Sequence, residues 1–197
     1  TPYGRMAEKM PPQGTLLDLG CGHGLFSLAL ALGSSRRTVI GLDHDQARIG
    51  LARSASAGVG NLSFSSGTLS APGKPLAESV SGISLIDVMH YFPATEQERL
   101  FKEAYSQLAP GGTLIVREVE PSQGLISSWN RLYEKIATST GFTRSEQKQE
   151  LHFRTRQEWE AVLGATGFEV SSEPCSAPIF SDILYVCRKP LAEDASP

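Results

Sequence analysis

Leu16-Leu17-Asp18-Leu19-Gly20-Cys21-Gly22-His23-Gly24 decides how this chain folds. It reads as a buried strand that ends near an acid and turns through glycines at alternate positions. An apolar run beginning at Leu25 then opens a helix. Glycine at such a turn permits positive φ and lets a ligand approach the backbone. The helix start brings N–H groups that have no intrahelical partner. Together they make a seat for a small polar cofactor at the carboxyl edge of a parallel sheet.

A dinucleotide fingerprint requires Gly-x-Gly-x-x-Gly. Gly20 and Gly22 fit it, but Leu25 stands at the third position and glycine comes one residue early, at Gly24. The spacing Asp-x-Gly-x-Gly-x-Gly resembles motif I of the class I S-adenosylmethionine-dependent methyltransferases. On this motif alone a purely structural turn is the alternative. The resemblance implies that Asp18, Gly20, Cys21 and Gly22 line an S-adenosylmethionine site. Asp18 would order the loop and face the cationic end of the cofactor. Cys21 reads as a small packing residue, not a nucleophile.

The later strands extend the pattern. Thr38-Val39-Ile40-Gly41-Leu42 ends in Asp43, placed where a βαβ unit presents a carboxylate to both ribose hydroxyls. Asp45 is the better helix cap of the two acids. His44 lines the adenine or is merely exposed. A short strand at Leu62–Ser65 runs toward Thr68 and Leu69, the expected adenine contacts, although the family commonly carries an acid near Thr68. Gly82–Ile86 leads into Asp87 and Val88, which resemble motif IV beside the methyl donor. Leu108-Ala109-Pro110-Gly111-Gly112 before Thr113–Glu118 matches a further family hallmark. The resemblance implies a Rossmann-like, doubly wound α/β sheet of seven strands, in order 3-2-1-4-5-7-6 with the last strand antiparallel. Residues 1–189 would form one methyltransferase domain, and 190–197 a flexible tail.

With 197 residues, 40% of them hydrophobic, the chain can bury one core. A net charge of −3 without a basic run gives no electrostatic footprint for nucleic acid. No apolar stretch has transmembrane length. Three cysteines fit a reducing, cytoplasmic setting better than a disulfide framework. No His/Cys cluster has metal-ligand spacing. The chain opens Thr1-Pro2-Tyr3, so a longer N-terminal segment is expected from the resemblance.

Apolar spacing puts Leu25, Phe26, Leu28, Ala29 and Leu32 on one helical face, and a second helix over residues 45–57. Thr95-x-x-Glu98 and Thr155-x-x-Glu158 both read as capping boxes. Residues 70–79 read as a loop. Residues 119–154 exceed the minimal fold and carry Trp129 and Tyr133 at helical spacing. They form either an ordinary surface helix or a lid in which Trp129 and Tyr133 wall the acceptor.

Methyl transfer is an in-line displacement that needs alignment and a dry pocket. An oxygen nucleophile also needs help losing its proton. His90 is the candidate base, against the alternative that it packs or bonds a backbone carbonyl. Glu118 either orients the acceptor or pairs with Arg117 or another cation. The runs Asp87–Pro93, Arg117–Val119 and Pro178–Leu184 resemble small bacterial methyltransferases of aryl polyene and fatty-acid-like lipid biosynthesis. That resemblance implies a hydroxylated aromatic or acyl acceptor, free or on a carrier protein. The rival functions are an NAD-dependent oxidoreductase and a non-catalytic binding protein that keeps the fold.

Overall fold

The computed structural model describes residues 2–67, 79–120, 151–175 and 182–191. Alternating strands and helices build one seven-stranded sheet. The elements are α1 (Pro2–Lys9), β1 (Gly14–Leu19), α2 (Leu25–Gly33), β2 (Arg37–Asp43), α3 (Gln46–Ala55), β3 (Leu62–Ser66) and β4 (Val80–Ile86). A 3-10 turn (Met89–Tyr91) follows, then α4 (Ala94–Gln107), β5 (Leu108–Val119), α5 (Arg156–Ala165), β6 (Glu169–Pro174) and β7 (Asp182–Arg188). The strand order is β3-β2-β1-β4-β5-β7-β6. The β1–β2, β1–β4, β2–β3 and β4–β5 pairs are parallel. β7 runs antiparallel to β5 and β6, as the family resemblance implies.

Neighbouring residues of the central strands enter opposite cores, because strand side chains alternate across the sheet. Leu17 and Leu19 of β1 join Leu114, Val116, Phe101 and Trp159 on the side of α4 and α5. Leu16 and Ile115 join Met6, Phe26 and Leu30 on the side of α1 and α2. A sheet covered on both faces explains why β1, β4 and β5 read as nearly unbroken apolar runs.

Arg37 ties the second layer together. It is 5% exposed. Its guanidinium donates to the carbonyls of Ala7 and Met10 at the end of α1, to Pro11, and to Leu30 in α2. Helix carboxyl ends carry unpaired carbonyls and partial negative charge, so one cation serves both. On the outer side, the Phe64 ring of β3 occupies the space beside two glycines. A Cβ on Gly24 would meet it at 2.4 Å, and one on Gly41 at 2.5 Å.

Several local expectations need correction. Of the two capping boxes, only Thr155–Glu158 forms, at the start of α5. α4 instead begins after Pro93, whose extended ψ and fixed φ start the helix one residue before Thr95. The buried face of α2 is Phe26, Ser27, Leu30 and Ala31, whereas Leu25 and Leu32 are exposed. β5 starts at Leu108, so the Pro-Gly-Gly turn lies within the strand. Residues 70–78 of the predicted 70–79 loop, 121–150 of the 119–154 segment and 192–197 of the tail lie outside the described residues.

Candidate functional site

The glycine turn folds back over the neighbouring strand. Gly20 and Cys21 donate their N–H groups to the Leu42 carbonyl at 2.7 and 3.0 Å. Gly20 has φ 70°, and a Cβ there would lie 2.5 Å from a Val88 methyl. Glycine at this position therefore lets the turn after β4 press against the turn after β1. Gly22 donates to Asp43 Oδ2 at 2.8 Å, and beyond its Cα a Cβ would meet nothing within 4 Å.

Asp43 closes β2 and is 4% exposed. Its other oxygen accepts from the Asp45 N–H at 2.9 Å. An ionised carboxylate has about four acceptor directions, so these two bonds leave room for hydroxyl donors. His44 is exposed, with Nδ1 3.4 Å from Asp43 Oδ1. Asp45, as expected, caps α3 through Ala47 and Arg48 N–H.

Asp18 lies deeper than its expected role. It is 2% exposed, and its oxygens accept from Ser27 Oγ at 2.6 Å and Ser84 Oγ at 2.8 Å. Burial pushes its carboxyl up to about 6, partly opposed by the two serine hydroxyls and the Ser27 backbone N–H. It thus ties β1 to α2 and β4. At 2% exposure it offers almost no surface to a cofactor's cationic end. The Cys21 thiol is pushed up by burial and then by Asp18 and Asp43, which suits a packing side chain.

The turn after β4 is held by consecutive residues of β5. Asp87 has φ 57°, a left-handed conformation unusual outside glycine but tolerated best by short polar residues. Its N–H donates to the Arg117 carbonyl, and its carboxylate accepts from Arg117 Nε at 3.0 Å and from a second guanidinium nitrogen. Next along the strand, Glu118 is 1% exposed. Its Oε1 accepts from the N–H groups of Val88 at 3.0 Å and Met89 at 2.6 Å. Its Oε2 lies 2.7 Å from His90 Nδ1. Arg117 therefore belongs to Asp87, and the alternative Arg117–Glu118 pair is not formed.

His90 sits on the 3-10 turn, with Tyr91 tilted against its ring at 4.2 Å and Phe153 stacked at 5.5 Å. The two backbone N–H donors on Oε1 fix the Glu118 carboxyl and leave Oε2 turned to the ring. Oε2 accepts a hydrogen bond when the ring carries its proton on Nδ1, the tautomer that leaves Nε2 as the ring's acceptor. A carboxylate-oriented imidazole of this kind can remove a proton from a hydroxyl.

The sequence-predicted residues thus gather at the carboxyl edge of the sheet. Gly20 meets Val88, Gly22 meets Asp43, and His90 meets Glu118. Thr68, Leu69, Trp129 and Tyr133 lie outside the described residues. Ser27, Ser84, Gln97 and Phe153 escaped the sequence reading. Ser27 and Ser84 each interrupt an otherwise apolar run, a signal that marks a buried hydroxyl in need of a partner. Gln97 and Phe153 carry no such signal.

The family described as "Methyltransferase domain" matches residues 2–173. No curated protein matches the chain in sequence. Among solved structures, an O-methyltransferase family protein from Burkholderia thailandensis superposes with a TM-score of 0.71 at 16% identity. The match covers 98% of this chain but 56% of that one. The YcgJ protein from Bacillus subtilis gives 0.71 at 14% identity, over 96% of this chain and 98% of its own. Magnesium protoporphyrin IX methyltransferase from Synechocystis PCC 6803, with bound S-adenosylhomocysteine, gives 0.67 at 19%, over 95% and 79%. The methyltransferase family displaces the NAD-dependent oxidoreductase alternative. Fold, glycine turn and family match agree: the chain belongs to the methyltransferase domain family, in the class I division that uses S-adenosylmethionine as cofactor.

Proposed function

We propose that this methyltransferase methylates an oxygen nucleophile on a small hydroxylated aromatic or acyl acceptor, free or carried on a protein. The observation that carries this reading is the His90 Nδ1–Glu118 Oε2 contact at 2.7 Å, with Glu118 Oε1 fixed by two backbone N–H groups. Methyl transfer to a thiolate or a free amine has less need of such a pair. A phenol is mostly protonated near neutral pH and gains from a base beside it. In this reading His90 Nε2 receives the acceptor proton and Glu118 fixes the ring.

S-adenosylmethionine supplies an electrophilic methyl group on a positively charged sulfur. The open side of Gly22 and the spare acceptor directions of Asp43 fit its nucleoside. Gly20, Cys21, His44, Asp87 and Val88 complete the same edge, and Asp18 supports it from below. Thr68 and Leu69 toward adenine, and Trp129 and Tyr133 toward the acceptor, remain part of the proposal on sequence grounds alone. The free thiols of Cys21, Cys175 and Cys187 and the net charge of −3 favour a cytoplasmic enzyme acting on something other than nucleic acid. Among the described residues, no helix is long and apolar enough to cross a membrane.

The test uses S-adenosylmethionine labelled in its methyl group and a panel of hydroxyaromatic acids, offered free and as carrier-protein thioesters. A labelled methyl ether is the expected product. His90→Ala should slow its formation by about 100-fold or more and leave S-adenosylhomocysteine affinity unchanged. Label found only on nitrogen or sulfur, or His90→Ala working at the parent rate, would refute the reading. A chain that binds S-adenosylhomocysteine and methylates nothing would support the non-catalytic alternative.

A further inference from the structure

Gln97 lies in the first turns of α4 and is fully buried. Its side-chain amide nitrogen is 3.0 Å from each of three carbonyls, those of Met89, Phe92 and His152. Its amide oxygen accepts from Arg154 Nε at 2.7 Å. The first two carbonyls belong to the turn that carries His90. The third belongs to the chain just before α5. That chain returns to the turn twice more: His152 N–H donates to the His90 carbonyl at 2.8 Å, and Phe153 stacks on the imidazole with 18° between planes.

We propose that Gln97 is a positioning residue for the transfer. Its amide clamps the His90 turn to residues 152–154, so that Phe153 and Glu118 hold the imidazole in a single plane. This rests on the reading of His90 as the base. An amide has two N–H donors, so three carbonyls at equal distance share them. Loss of the amide removes this donor from all three, of which the Met89 carbonyl keeps a second partner, the Phe92 N–H at 3.0 Å. Burial of the polar group is thus set against a fixed geometry at the ring. Arg154 holds the amide the right way round: its N–H can meet only the oxygen, which turns the nitrogen toward the carbonyls. Arg154 also reaches the Ala94 carbonyl and Glu98 and lies over the Trp159 ring, so the clamp is anchored on both α4 and α5.

Two elements far apart in sequence therefore share responsibility for one ring. Glu118 sets which nitrogen carries the proton, and Gln97 keeps the turn close enough for Glu118 to do so. A purely structural Gln97 would alter stability and leave the ring's proton where it is.

The experiment reads the His90 tautomer by long-range proton–nitrogen NMR on labelled protein with S-adenosylhomocysteine bound, at a pH where the ring is neutral. The parent chain should show Nδ1–H alone. Gln97→Met keeps the length and removes the amide. It should give a mixture of both tautomers, with S-adenosylhomocysteine affinity within twofold of the parent. A folded Gln97→Met that keeps Nδ1–H alone overturns the proposal. If Gln97→Met does not fold, Arg154→Leu takes its place, since it frees the amide to rotate; the same mixture supports the clamp and an unchanged tautomer refutes it. Nε2–H in the parent chain would instead sink the His90–Glu118 reading itself, a separate outcome.

Discussion

Asp18 carries its carboxyl into the sheet with two serine hydroxyls as its side-chain partners. Burial raises it to about 6 from an ordinary 3.8, so the folded chain takes up this proton more readily than the unfolded one. The sign follows from linkage. Between about pH 4 and 6 the native state binds more protons at this site, and its contribution falls as pH rises; above 6 the penalty for a buried charge is complete. Asp18→Asn removes that penalty, and either serine hydroxyl can turn to accept from the new amide. The stability of the parent relative to Asp18→Asn should therefore drop by on the order of 3 kcal/mol between pH 4 and pH 7. Urea unfolding at both pH values checks this, and a pH-independent difference would show that Asp18 titrates normally.

The two Thr-x-x-Glu patterns make a matched pair at the level of the element. Thr155 accepts from the Glu158 N–H while Glu158 reaches back to the Thr155 N–H. Thr95 has no such role, because Pro93 already stands at the cap position. Thr155→Ala should cost about 1 kcal/mol, and Thr95→Ala less than half as much, measured by thermal unfolding side by side. Equal losses would refute the assignment of the α4 start. The same contrast shows what the sequence can carry. The glycine turn and the carboxylates at the ends of β2 and β4 were legible from spacing, and the strand order from the family resemblance that those motifs carry. The buried face of α2 was not. Eight of its nine residues are apolar or glycine in Leu25–Gly33, and periodicity has nothing to choose by. Nor was the partner of Glu118, since adjacent strand residues point to opposite faces and the neighbouring Arg117 is thereby turned away from it. Gln97 was invisible for a related reason: its three acceptors are backbone groups, which leave no trace in side-chain patterns.

For the molecule as a whole, Arg37 is the point where two helices of one layer are fastened to the start of β2. Arg37→Met keeps most of the apolar stem and takes the guanidinium from four carbonyls, of which Ala7 still accepts from the Met10 N–H. It should destabilise the protein by roughly 3 kcal/mol or more. Amide exchange in α1 should quicken before that of the central strands, because the guanidinium holds the Ala7 and Met10 carbonyls at its carboxyl end. Uniform exchange across α1 and β1 would argue that the helix is held chiefly by Met6 and Met10. The Phe64 ring has a consequence of another kind. It fills the volume that side chains at 24 and 41 would take, so those three positions share one allotment of space. Over evolutionary time they should drift as a set: a lineage that acquires alanine at 41 is expected to shrink the ring at 64. Position 24 is bound more tightly, because its left-handed backbone excludes most side chains even where the ring has gone.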